Sequence, residues 1–388
     1  MRRFVSKRAD GIKPSGIRKF FDIASEKKNV ISLGVGEPDF ITPWEIRDAG
    51  IGAVKKGYTQ YTSNSGLAVL RKNVSEYLKE RFSVDFSADD TVITVGASEG
   101  IDIVLRATID EGDEVLIPDP SYVSYKPCVE LLGGVPVSVK CDEKDGFKLT
   151  PENLESVITP KTKALIFPYP NNPTGGIMEK EYIEKIIPVI LKHDLLVISD
   201  EIYAELTYGK KHCSIASFEE LKGRVVLISG FSKAFAMTGW RVGYVCAPED
   251  IRKALLKIHQ YATICAPIFS QYAANAGLES CKKNNYQIVE EMKAEYDMRR
   301  KYLYKEFSDM GLKCFEPKGA FYIFISVKST GLNGEEFATR LLNEKSVAVV
   351  PGDAFGEYGK YFVRCSYATS MKNLVTAIER ISEFVKSL

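Results

Sequence analysis

The chain has 388 residues, 52 basic and 51 acidic side chains, and a formal net charge of +1. That balance gives no general field for nucleic acid or an anionic membrane surface, so the expected partner is a small molecule read by a local site. Hydrophobic residues at 45% and charged residues at 27% are ordinary for a soluble globular protein, and the length suggests about two domains.

The opening "MRRFVSKRAD" is basic but no apolar h-region follows, so no secretory signal is expected. No apolar stretch approaches the ~20 residues needed to span a bilayer. "TVITVG" (91–96) reads as a strand running into the helical "SEGIDIVLRATI". "DEVLIPDP" (113–120), "KALIFPYPNNPTGG" (163–176), "DLLVISDEIY" (194–203) and "RVVLISGFSK" (224–233) are further apolar runs, each ending in polar or turn residues. Continuous apolar strands separated by helices predict an α/β unit with a mainly parallel sheet covered on both faces. After about residue 280 the pattern changes. "QIVEEMKAEYDMRRKYLYKEF" predicts a long amphipathic helix, followed by "GAFYIFISV", "VAVVPGDAFG", "YFVRCSYA" and a final helix, which reads as a smaller α+β domain. The eight cysteines, from Cys128 to Cys365, include no C-x-x-C pair, and His193, His212 and His259 lie far apart. No zinc motif or other metal site is expected, and free cysteines fit a cytoplasmic protein.

In a parallel α/β sheet, ligands sit beyond the carboxyl ends of the strands, and the polar residues of interest lie at those ends. In "VGASEG", the N–H groups of Ala97 and Ser98 would open a helix and suit a phosphate, although an ordinary capped turn gives the same pattern. Asp200 closes an apolar strand, where a carboxylate needs a cationic or hydrogen-bonding partner or serves as a helix cap. Asn172 precedes Pro173, in either a structural turn or one that presents the amide to a ligand. Lys233 follows the strand ending in Ser229-Gly230. Taken singly, it is either a snorkelling side chain or a desolvated amine able to attack a carbonyl. Arg241, in "GWRVG", suits a phosphate or a structural ion pair.

Together, "NNPTGG", "SDEIY" and "SGFSKAFAMTGWRVGY", in that order, resemble the class I/II aminotransferases, pyridoxal-phosphate enzymes of fold type I. Further blocks carry the likeness along nearly the whole chain: "PSGIRKF" (14–20), "LGVGEPDF" (33–40), "YTSNSGLAVLR" (61–71), "PSYVSY" (120–125), "GAFY" (319–322), "VPGDAFG" (350–356) and "VRCSYA" (363–368). The resemblance implies a large cofactor-binding domain over 45–285 and a small domain made of 1–44 and 286–388. It makes Lys233 the lysine linked to the cofactor aldehyde and Asp200 the partner of the pyridinium nitrogen. Tyr203 and Asn172 would contact the ring's O3′ oxygen, and Tyr122 would stack on the ring. Ala97, Ser98 and Arg241 would hold the phosphate. Tyr61 would reach the phosphate of a neighbouring subunit, implying a homodimer with shared active sites. Arg364 would grip the substrate α-carboxylate in a pocket lined by Gly36 and closed by Ile17. One position departs from the pattern: many members carry a hydroxyl residue three before the lysine, where this chain has Gly230, and Ser232 is the candidate replacement.

The resemblance further implies ping-pong transfer of an amino group between an L-amino acid and a 2-oxo acid. Aspartate-specialised relatives carry a second basic residue, either just after the phosphate-loop glycines or in the stretch after the lysine. Here those places read "GASEG" and "HQYATICAPIFSQ" (259–271), with no Arg or Lys. The blocks sit closest to the subgroup with aromatic and N-acetyl-diaminopimelate aminotransferases, so a bulky donor with 2-oxoglutarate is expected. The alternatives are an aspartate aminotransferase and a cystathionine-type β-lyase that cleaves C–S bonds with the same cofactor. A transcription regulator with a sensor domain of this type is disfavoured, because the first block begins at Pro14.

Overall fold

A computed structural model describes residues 4–14, 16 and 29–388. The first strand, β1 (Ile31–Ser32), is short and finds its partner at the far end of the chain. β2 (Thr91–Thr94), β3 (Glu114–Asp119), β4 (Val135–Lys140), β5 (Thr162–Phe167), β6 (Leu196–Asp200), β7 (Val225–Gly230) and β8 (Gly243–Cys246) form one sheet of order β2-β8-β7-β6-β5-β3-β4. Strands β4, β3, β5, β6 and β7 run parallel to one another, while β8 is antiparallel to both β7 and β2. The expected mainly parallel sheet is therefore present, with one reversed strand inside it.

β7 shows why these runs form strands. Val225–Ile228 are branched or aliphatic, and every residue of the strand is buried. Each such side chain contributes roughly 1.5–3 kcal/mol when fully buried. Both faces are covered: Leu227 packs in one apolar cluster and Val226 and Ile228 in another. That matches a continuous apolar run rather than an alternating one.

A second, three-stranded sheet contains β9 (Tyr322–Ser326), β11 (Val350–Pro351) and β12 (Phe362–Ser366), antiparallel in the order β11-β12-β9. β10 (Val347–Ala348) pairs in parallel with β1, so the N-terminal segment is stitched to the C-terminal part of the chain. The helix Gln287–Asp309 buries Val289, Met292, Tyr296, Leu303 and Phe307, the three-and-four spacing of one helical stripe. The last helix, Met371–Lys386, begins at Ser370, whose hydroxyl accepts the Asn373 N–H. Among the described residues, no helix is long and apolar enough to cross a membrane.

Candidate active site

A cavity of about 1410 Å3 opens where the carboxyl ends of the large sheet meet β9, β12 and the N-terminal segment. β6 delivers Asp200, β7 delivers Ser232 and Lys233, and the β2 turn delivers Ala97 and Ser98. Asn172 and Tyr122 come from the loops after β5 and β3, and β12 supplies Arg364. Gly36, Tyr203 and Arg241 complete the predicted set that lines the cavity. Tyr61 does not line it and is 77% exposed. Ile17 lies outside the described residues.

Lys233 points its amine at the Gly36 carbonyl, 2.7 Å away. The amine also sits 5.8 Å from the Tyr203 ring centre and 5.7 Å from that of Phe321. Burial depresses its pKa to about 8; Glu37 opposes the shift, and Arg364 and Arg241 add to it. About a tenth of this lysine is therefore a free amine at pH 7, far more than for an ordinary lysine, and that is the form that attacks a carbonyl.

Asp200 is buried at the end of β6. Its Oδ2 accepts a hydrogen bond from the Tyr125 hydroxyl at 2.7 Å, and its Oδ1 accepts one from the Ile202 N–H at 3.2 Å. Burial pushes its pKa up, and the Tyr125 bond works against that shift. No basic side chain pairs with Asp200 among the described residues, so a cationic group entering the cavity would relieve it. Tyr125 also meets the Tyr122 ring edge-on, with centroids 5.5 Å apart.

Arg364 is buried between the Tyr322 ring at 4.4 Å and the Phe355 ring at 4.9 Å. It donates from Nη1 to Asn172 Oδ1 at 2.9 Å and from Nη2 to the Gly34 carbonyl. Its Nε is buried without a partner, leaving an unmet donor. Tyr322 also bonds to the Tyr203 hydroxyl at 2.8 Å, and burial raises the pKa of both phenols. Gly36 is glycine for lack of room, because a Cβ there would lie 2.7 Å from the Tyr322 oxygen.

The other end of the cavity is built from close backbone approaches. Gly96 has φ +77°, and a Cβ on it would lie 2.6 Å from Arg241 Nη2. A Cβ on Gly243 would lie 2.7 Å from the Ala97 nitrogen. Arg241 donates to the Thr238 carbonyl at 2.8 Å. A helix start at Gly96 beside a guanidinium is a cradle suited to a phosphate. Gly230 now has a physical reason. A Cβ on it would meet Gly243 Cα at 2.8 Å and the Val242 carbonyl at 3.1 Å, so no hydroxyl side chain fits there. Ser232 lines the cavity instead.

Sequence reasoning missed two residues, Tyr125 and Tyr322. Tyr125 stood in "PSYVSY", three residues after Tyr122, the spacing of one helical turn. Tyr322 closes "GAFY", a block whose sequence assigns no role to its last residue. Among the described residues, no group of three or more His, Cys, Asp or Glu side chains could hold a metal ion.

Comparison with known proteins agrees with this geometry. The family described as aminotransferase class I and II matches residues 28–381. YugH of Bacillus subtilis (strain 168) is 49% identical, with 99% of each chain covered. An aspartate aminotransferase of Pyrococcus abyssi is 44% identical, with 98% of each covered. The crystal structure of an aromatic aminotransferase from Pyrococcus horikoshii OT3 superposes with a TM-score of 0.90 at 43% identity, covering 95% of this chain and 99% of that one.

Proposed function

The chain belongs to the class I and II aminotransferases, and from that premise we propose that it uses pyridoxal phosphate to move an amino group from a bulky L-amino acid to 2-oxoglutarate. The observation that carries the cofactor reading is the opposition of Lys233 and Asp200 in one cavity with an arginine at each end. When bound, pyridoxal phosphate supplies an aldehyde that takes up amino groups and a ring that stabilises negative charge at the donor's α-carbon.

The chain's own residues do the rest. Arg241 and the Ala97 and Ser98 N–H groups would hold the phosphate, with Ser232 as the nearby hydroxyl. Asp200, held by Tyr125, would balance the positive ring nitrogen. Tyr203 and Asn172 would hydrogen-bond the ring oxygen, and Tyr122 would pack on its face. Arg364 fixes the donor's α-carboxylate with two parallel hydrogen bonds, beside Gly36. Lys233 Nζ would take the proton from the donor α-carbon and later return one, as a general base whose pKa burial lowers to about 8. Two half-reactions alternate in the same pocket, a ping-pong scheme. Residues 45–285 would form the cofactor-binding domain, and 1–44 with 286–388 the smaller one.

A homodimer with shared sites is supported by Tyr61, 77% exposed on the loop after residue 57, and by the exposed Ile41, Trp44 and Tyr261.

The bulky-donor reading rests on the absence of Arg and Lys from 259–271 and from "GASEG". An aspartate donor is the second reading, favoured by the 44% identity to an enzyme of that name. A donor screen against 2-oxoglutarate, pyruvate and oxaloacetate separates them. Fast turnover of aromatic or acylated diamino acids supports the first reading, and preference for aspartate replaces it with the second. Pyruvate and ammonia released from a β-substituted amino acid without an acceptor would instead identify a lyase.

A further inference from the structure

Glu99 stands just inside the helix that opens at Gly96, yet it does not face the cavity. It turns back. Its Oε2 accepts the N–H of Val95, the residue that enters the turn. Its Oε1 accepts from His259 Nδ1 at 2.9 Å and from the Thr263 hydroxyl at 2.8 Å. A carboxylate only accepts, so the ring hydrogen of His259 sits on Nδ1. His259 has no exposed surface, and its Nε2 is buried without a partner. Burial pushes the Glu99 carboxyl up, but the bonds from His259, Val95 and Thr263 outweigh it and leave the group below its ordinary range.

The donors come from two separate pieces of chain. Val95 belongs to the turn after β2, whereas His259 and Thr263 end the helix Glu249–Ala262. The Thr263 and Ile264 N–H groups close that helix on the His259 carbonyl, and Asn64 Nδ2 donates to the Ile264 carbonyl at 3.1 Å. Glu99 therefore clamps the turn to a neighbouring helix end, which is itself tied to the loop carrying Tyr61. The turn needs holding: Val95 has ψ 64°, outside both helix and strand, and Gly96 has φ +77°. Without Glu99, the Val95 N–H loses its acceptor, and the turn that aims the Ala97 and Ser98 N–H groups keeps only the Thr94 hydroxyl's bond to the Gly96 carbonyl and its close approaches to Arg241 and Gly243. A negative charge near a phosphate is unfavourable in itself, so Glu99 acts through position rather than charge.

We propose that Glu99 is a positioning residue for phosphate recognition: through Val95 it sets the turn whose Ala97 and Ser98 N–H groups receive the cofactor phosphate, and His259 and Thr263 hold it there. The inference rests on the pyridoxal-phosphate reading above. The test separates phosphate recognition from general support of the fold. The full-length chain, stripped of cofactor, is titrated with pyridoxal phosphate and, separately, with pyridoxal, which lacks the phosphate. Absorbance and intrinsic fluorescence report binding.

The wild type is expected to prefer pyridoxal phosphate. Glu99→Ala raises the dissociation constant for pyridoxal phosphate roughly tenfold and leaves that for pyridoxal within about twofold. Glu99→Gln recovers most of the loss, because its amide can accept from Val95 and donate to His259 once the ring hydrogen moves to Nε2. Thr263→Val gives a smaller loss with the same selectivity, and it carries the comparison if Glu99→Ala does not fold. Equal losses for both ligands, or no loss for either, overturn the inference and leave the cofactor reading intact. A wild type with no preference between the two ligands overturns the cofactor reading itself.

Discussion

Replacing Gly230 by alanine or serine is expected to loosen the fold rather than supply the missing hydroxyl. A Cβ at 230 lies 2.8 Å from Gly243 Cα and 3.1 Å from the Val242 carbonyl oxygen. Comfortable carbon–carbon contact begins near ~3.5 Å, so the overlap is about 0.7 Å against the first of these atoms. Both are backbone atoms, and Gly230 and Gly243 are register partners, so relief requires β7 and β8 to part. Overpacking of this kind costs about 1–3 kcal/mol. β8 has no slack to give, because Gly243 packs against the Ala97 nitrogen. The strain therefore passes into the phosphate turn. Urea unfolding of G230A and G230S, with retained cofactor measured on the same samples, checks this. Both variants should lose stability to within about 0.5 kcal/mol of each other, since the collision is at Cβ, and both should hold the cofactor more weakly. A G230S protein as stable as the wild type, or one that holds pyridoxal phosphate more tightly, would show that the position has room and would refute the reasoning.

Other outcomes follow from the site. Lys233, with a pKa of about 8, is roughly a tenth free amine at pH 7 and about half at pH 8. The rate at which cofactor-free protein takes up pyridoxal phosphate should therefore rise about fivefold over that interval and level off above it; stopped-flow absorbance showing a flat profile would contradict the shift. Tyr125→Phe removes the bond that counters the burial of Asp200, so the Asp200 pKa rises further. kcat/KM should fall about 10–100-fold and the acid limb of its pH profile should move to higher pH; an unmoved limb counts against the role given to Tyr125. Arg364→Ala should cost about 2–4 kcal/mol, read mainly as a higher donor KM, and Arg364→Lys should recover little because one ammonium cannot replace a planar fork. Steady-state kinetics with KM unchanged would remove Arg364 from substrate binding.

Lys233 and Asp200 were legible because each ends a continuous apolar run, where a charge is conspicuous in sequence. Arg364 was legible through the resemblance carried by "VRCSYA". Tyr125 was not, because its partner Asp200 is 75 residues away and only folding brings them together. The reason for glycine at 230 was hidden for the same cause: it depends on pairing with Gly243 across β7 and β8. β8 escaped notice because "GYVC" is four residues long and runs against its neighbours. Glu99 was seen in sequence as occupying a place where relatives put a substrate-binding base. Its actual bonds to Val95, His259 and Thr263 turn it away from the substrate.

Borohydride reduction of the pyridoxal-phosphate-loaded protein, followed by peptide mass spectrometry, tests the central claim most directly, because it fixes the cofactor to whichever amine holds it. The label should fall on the peptide containing Lys233, and the K233A protein should carry none and lose turnover. A label on another lysine, or K233A protein that still turns over with added cofactor, would contradict the assignment of Lys233 as the centre of the site.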